Sequence, residues 1–130
     1  MKLWRLTRAP FVALDGAGAV MHGARYAPPG VPVVSLASEA ALAVLITLRY
    51  LPCDLEGLAD DYVLGWTEAA GVPERVPGGS DDAIRDWTKA WLGERRSLLA
   101  AVVSKVLPEG DVVLFNLHRP PMLDRYRSTA

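Results

Sequence analysis

Three short apolar runs, widely separated in the chain, most constrain how it folds. In "VPVVSLA", residues 31–37, the β-branched valines stand together without a polar face, which predicts a buried strand. Leu98–Val103 and Val112–Asn116 are two further strand-like runs, joined through Pro108 and Gly110. Buried strands need cover from other elements, so the sequence predicts a layered domain rather than a helical bundle.

Two segments between these runs have helical patterns. Ser38 is predicted to cap a helix over residues 39–50, and Ser80 is predicted to cap the helix "DDAIRDWTKAWLG". Because short strands alternate with two helices and long loops, the sequence predicts an α+β fold. The length favours one domain over residues 1–130, with 117–130 as a loosely held tail.

Composition narrows the classes of partner. The 14 Lys and Arg nearly balance 15 Asp and Glu, so nothing predicts a whole-protein attraction to nucleic acid or to a membrane, and an anionic ligand must be held locally. One cysteine and two histidines give no internal disulfide and no structural zinc set, so no metal is expected. No apolar run has the length of a signal peptide or a membrane span, and we expect a cytoplasmic protein.

Arg5 is the first candidate site residue. It lies within the strand-like segment "KLWRL", which alternates Leu3 and Arg5 on one face with Trp4 and Leu6 on the other. An arginine there either reaches solvent at a sheet edge or binds an anion, and a guanidinium is well suited to a pyrophosphate.

Arg25 and Tyr26 form a second candidate, between Gly23 and Pro28. The arginine can hold a phosphate or carboxylate while the adjacent ring covers a flat heterocycle. The alternative is a loop arginine beside a packing tyrosine, and the sequence leaves both open.

Polar residues at strand ends are weaker candidates. The hydroxyl of Ser104 either bonds a ligand amide or terminates its strand, and the same choice holds for Asn116 and His118. A Ser-His-Asp triad built from Ser35 or Ser104 with His118 has no support beyond the presence of the residues. No phosphate-binding loop or dinucleotide fingerprint is present.

The order of these features resembles the RES domain, the toxin of bacterial type II toxin-antitoxin systems. The similarity is carried by "LWRL", "GARYAPPGVPVV", "SEAALAVL", "DDAIRDWTKAWL", "RSLLAAVVSKVLPEGDVVLFN" and the "NLH" that follows. It implies an ADP-ribosyltransferase-like split β-sheet flanked by helices, NAD as the substrate, and a cognate antitoxin as partner. Known RES toxins cleave the nicotinamide-ribose bond and either pass ADP-ribose to a protein acceptor or degrade the nucleotide.

The resemblance also assigns roles to residues. Arg5 and Arg25 would hold the pyrophosphate or its adjoining ribose, Tyr26 would pack on a ring, and Ser104 would hydrogen-bond the nicotinamide or ribose end. Arg5, Arg25 and Ser104 are therefore the predicted catalytic residues. Asn116 and His118 are peripheral binding candidates, and Ser35 is a further candidate for binding NAD.

The sequence departs from the family pattern at two positions. Ser35 stands where the family strand usually ends in tyrosine, and Ile46 stands where its helix usually carries the catalytic glutamate. Three explanations follow: a slow enzyme, an acid supplied by Glu39 or by the loop "LEGLADD", or a degenerate relative that serves as a binding module. Glu39 lies about 10 Å before Ile46 along a helix, which is far for direct substitution.

Overall fold

The computed structural model describes residues 1–8, 25–27, 33–48, 60–94, 97–116 and 126–128. Its elements confirm the predicted α+β class. In chain order they are β1 (Lys2–Arg8), β2 (Val33–Ala37), α1 (Ala40–Leu48), β3 (Tyr62–Glu68), β4 (Glu74–Arg75), α2 (Asp81–Glu94), β5 (Leu99–Val103), β6 (Asp111–Asn116) and β7 (Tyr126–Ser128).

The strands form one sheet in the order β4-β5-β6-β2-β1-β3-β7. Only β4 and β5 run parallel, and all other neighbours are antiparallel. β1 pairs with β3 along its whole length, whereas β1 and β2 meet at the single pair Trp4 and Ala37. The sheet therefore splits between β1 and β2, as the resemblance implies.

The two helices among the described residues lie on one face of the sheet. α2 packs through Ile84, Trp91 and Leu92 against alternate residues of β5 and β6. Trp87 stacks on Trp91 with ring centroids 6.1 Å apart. α1 buries Leu42 and Ala43 against Ala37, with Trp4 and Leu64 packed beside them. The helices thus cover both halves of the sheet on the same side.

Strand β2 is buried on both faces, which explains its valine-rich sequence. Val33 belongs to the cluster under α2, while Val34 and Leu36 belong to a cluster on the opposite face together with Leu3 and Phe115. Ser35 is the one exposed residue of this strand.

The predicted helix caps differ in outcome. The Oγ of Ser80 accepts a hydrogen bond from the N–H of Ala83 at 3.1 Å, which confirms this cap. The prediction for Ser38 was wrong, because its Oγ accepts the N–H of Asp111 at 2.8 Å and so ties the end of β2 to the start of β6. The carbonyl of Glu39 accepts the first backbone bond of α1, from Ala43 at 3.1 Å.

Three boundaries also differ from the sequence pattern. β3 extends to Glu68, although its pattern indicates a strand only over residues 62–64, because it pairs with all of β1. α2 continues through Gly93 to Glu94. The end of the chain, predicted as a loose tail, contains β7, which pairs with residues 65–67 of β3.

Candidate functional site

A cleft of about 130 Å³ opens where β1 and β2 separate. Its walls come from the two diverging strands. Residues of α1 close the cleft on the face of the sheet that the helices cover. The lining residues are Trp4, Arg5, Leu6, Ser35, Leu36, Ala37, Ala43, Ile46 and Thr47. Pockets for drug-sized ligands measure about 300–1,000 Å³, so this cleft accommodates one ring-sized part of a larger molecule.

The strand edges direct backbone groups into this cleft. In an antiparallel sheet the N–H and C=O of one residue point to the same side, and alternate residues point to opposite sides. Ser38 bonds Asp111 on the β6 side and Ala37 pairs with Trp4 on the β1 side, so the backbone of Ser35 faces β1. If the antiparallel register of Trp4 and Ala37 continued, Leu6 would pair with Ser35. The described pairing of β1 with β2 stops at Trp4 and Ala37. The cleft therefore has peptide groups as well as side chains in its walls.

The cleft brings together Arg5 and the two positions at which the sequence departs from the family pattern. Arg5 is half-buried and lies opposite Gly65 of β3, which has no side chain to crowd it. Ser35 lines the β2 wall and Ile46 faces in from α1. The described lining of the cleft contains no acidic residue.

The alternative sources of an acid lie elsewhere. Glu39 is exposed, precedes α1, and has its Cγ near Gly110 rather than in the cleft. Asp61, at the end of "LEGLADD", accepts two hydrogen bonds from Arg8, at 2.9 and 3.1 Å. The hydrogen bonds from Arg8 lower the pKa of Asp61. Residues 55–59 of this loop lie outside the described residues.

Arg25 does not line the cleft and is held at the start of α2. Its Nη2 lies 3.1 Å from Oδ2 of Asp81, and the guanidinium of Arg85 donates two hydrogen bonds to its carbonyl, at 3.2 and 3.0 Å. Lys105, from the turn between β5 and β6, bonds the other oxygen of Asp81. Hydrogen bonds from Lys105 and then from Arg25 lower the pKa of the Asp81 carboxyl. Arg25 is thus part of a charged network joining three segments.

Tyr26 does not stand open as a platform for a ligand ring. It is 6% exposed and packs in the core with Val33, Ile84 and Trp91, while the Arg25 guanidinium lies 5.7 Å from its ring centroid. The structure therefore places Tyr26 as a packing residue, the alternative that the sequence left open.

The polar residues at strand ends have structural partners. The Oγ of Ser104 accepts the N–H groups of Val106 and Leu107, both at 3.2 Å, which closes the turn after β5. This geometry favours the strand-terminating role of Ser104 over ligand binding. Asn116 is fully buried, and its N–H donates to the carbonyl of Leu98 at 2.8 Å. His118 lies outside the described residues.

Comparison with known proteins decides the family. The sequence model of the RES domain family matches residues 2–129 of this chain. The chain belongs to the RES domain family. A chain in the crystal structure of the M. tuberculosis MbcT-MbcA toxin-antitoxin complex is similar in fold to this RES domain, with a TM-score of 0.63 and 18% identity. The similarity covers 99% of this chain and 84% of that chain. A search of the curated proteins found no match.

Thr47 is the residue of this RES domain that sequence reasoning missed. Its hydroxyl lies 3.2 Å from the carbonyl oxygen of Leu6 and 3.0 Å from that of Ala43, and it can donate to either. Thr47 is the one polar residue in α1, and that contrast was the available signal. None of the described helices has the length and apolar character needed to cross a membrane.

Proposed function

We propose that this RES domain is the toxin of a bacterial toxin-antitoxin pair and that it consumes NAD by cleaving the nicotinamide-ribose bond. The observation that carries the proposal is the cleft in the split sheet, which has Arg5 among its lining residues. Membership of the RES family and the fold likeness to a chain of a toxin-antitoxin complex support it.

In the proposed complex the cleft takes one ring-bearing end of NAD. The side chains of Leu6, Leu36 and Ile46 provide apolar contacts, and the peptide groups of Ser35 offer a donor and an acceptor to an amide. Arg5 supplies a fixed positive charge for the ribose-phosphate side of the molecule. Arg25, which does not line the cleft, supplies a second positive charge for a phosphate.

Cleavage of a glycosidic bond builds positive charge on the sugar, and a nearby carboxylate normally stabilises it. The described cleft has Ile46 where the family has a glutamate, so this stabilisation is missing there. Loss of one preorganised group commonly costs about 2–4 kcal/mol, or about a hundred- to a thousandfold in rate. We therefore propose a slow enzyme.

The same observation favours a second candidate function. An apolar cleft without an acid binds a ring without activating the bond next to it, and a RES relative of this kind would serve as a binding or interaction module. The two candidates predict the same affinity for NAD and differ only in turnover.

The partners follow from the family. We propose a cognate antitoxin encoded beside this chain, a protein acceptor if ADP-ribose is transferred rather than released, and action in the cytoplasm. No nucleic acid or membrane contact is part of the proposal.

Nicotinamide release from NAD, followed by chromatography, tests the proposal. Arg5→Ala should abolish both release and calorimetric NAD binding. Arg75→Ala is the matched control, because Arg75 is an exposed arginine on β4, at the other end of the sheet. NAD binding that depends on Arg5, without release, would support the binding module. Absence of both binding and release in the unaltered protein would refute the enzyme and any module that binds NAD.

A further inference from the structure

The ion pair between Arg25 and Asp81 occupies the guanidinium that the proposed function assigns to a phosphate. We infer that Asp81 is an internal competitor of the ligand, so that Arg25 exchanges this carboxylate for a phosphate of the dinucleotide when the ligand binds. This inference rests on the proposed function, since it assumes that Arg25 meets an anion.

The backbone around Arg25 is fixed, so the exchange requires only a side-chain movement. Arg85 holds the carbonyl of Arg25 through two hydrogen bonds, and Tyr26, the next residue, is buried in the core. The guanidinium can therefore rotate between two partners without moving the strand that follows.

Asp81 does not lose all its partners in the exchange. Lys105 bonds Oδ1 while Arg25 bonds Oδ2, so the carboxylate keeps one ammonium when the guanidinium leaves. A carboxylate left without any cation would oppose the exchange, and Lys105 removes most of that cost.

The pair is also accessible to a ligand. The side chains of Arg25 and Asp81 are 30% and 38% exposed. Carboxylate and phosphate use the same N–H groups of a guanidinium, and a phosphate with more charge is the stronger partner. Partly exposed ion pairs are weak, so competition by Asp81 should reduce phosphate affinity by about two- to fivefold.

Calorimetric titration with inorganic pyrophosphate, at one low ionic strength, measures this competition. We expect Asp81→Asn to tighten binding by about two- to fivefold. Asp86→Asn is the matched control, because it removes an equal charge from an exposed position on the same helix, and it should change affinity by less than Asp81→Asn does. Arg25→Ala should weaken binding by about tenfold or more, and Asp81→Asn should bring no gain in the Arg25→Ala background.

The outcomes separate the inference from the proposed function. If Arg25→Ala leaves pyrophosphate binding unchanged, the phosphate role of Arg25 in the proposed function is wrong. If Arg25→Ala weakens binding but Asp81→Asn weakens it too, or tightens it no more than Asp86→Asn, Asp81 is not a competitor and the inference is overturned. Asp81→Ser, which suits the first turn of a helix, replaces Asp81→Asn if that variant does not fold.

Discussion

The hydroxyl of Thr47 lies 3.2 Å from the carbonyl oxygen of Leu6, where β1 has separated from β2. The carbonyl points into the split, towards the place that a ladder partner on β2 would otherwise take. When the Thr47 hydroxyl donates to Leu6 rather than to Ala43, it takes the place of that partner, so α1 satisfies a carbonyl at the edge of the cleft. The one hydroxyl in this otherwise apolar helix thus lies where it can donate a hydrogen bond to a strand carbonyl.

Thr47→Val should reduce the free energy of unfolding by about 0.5–1.5 kcal/mol, because an isosteric methyl group replaces the hydroxyl that can donate to Leu6 or Ala43. Urea denaturation measures the change. Thr47→Ser keeps the hydroxyl and should be closer to the parent protein. Equal stabilities for Thr47→Val and the parent would show that this bond contributes nothing.

Ile46→Glu should raise the rate of NAD cleavage by about a hundred- to a thousandfold, because it restores a carboxylate to the lining of the cleft. Nicotinamide release under conditions of excess enzyme gives the rate. Ile46→Gln has nearly the same shape without the charge and should bring no such increase. A similar rate for both variants would argue against a charge effect at this position.

Asp61→Asn should lower stability at neutral pH, since Asp61 accepts two hydrogen bonds from Arg8. These bonds lower the pKa of Asp61 below its usual value of 3.8 in the folded state. The stabilisation is therefore complete above 3.8 and is lost as the pH falls through the folded-state pKa. Urea midpoints across a pH series should show the difference between parent and variant shrinking in acid.

Asp60→Asn is the control for that series, because it removes an equal charge from the exposed neighbouring residue. A difference between parent and Asp61→Asn that stayed constant into strong acid would mean that the Arg8 pair is not its source.

Gly110→Ala should lower the free energy of unfolding by about 1–3 kcal/mol, because a Cβ there would lie 2.9 Å from Cδ2 of the fully buried Leu42. Gly93→Ala is the contrasting variant, since its Cβ would meet nothing within 4 Å and it lies in α2. Alanine favours a helix over glycine, so this variant should gain up to about 1 kcal/mol. Thermal unfolding of both proteins compares them, and a loss at Gly93 or a gain at Gly110 would contradict the packing described above.

The sequence predicted the elements whose signal is local. Ser80 caps α2 as its spacing indicates, and the alternation in "KLWRL" places Leu3 and Arg5 together on one face. Ser38 has the same local signal as Ser80, yet its hydroxyl bonds Asp111 from a neighbouring strand. A cap and a strand anchor use the same oxygen, and only the tertiary structure decides which donor reaches it.

Only part of the candidate site could be predicted, because some of its contacts depend on the tertiary structure. Arg5 was a candidate from its place in a strand, whereas the split sheet and the positions of Ser35 and Ile46 came from the resemblance, and the cleft brings those three residues together. Pattern reasoning could not reveal that Asp81 would hold Arg25, because those residues are 56 positions apart and lie on different elements.

Because β2 pairs with β6, the cleft can form only after β6 has been synthesised. One wall of the cleft is β2, and its anchor bond joins Ser38 to Asp111, 73 residues later in the chain. During translation β2 therefore emerges well before β6, the strand that fixes its register. A nascent chain that stops before β6 therefore has the residues of the cleft without its geometry.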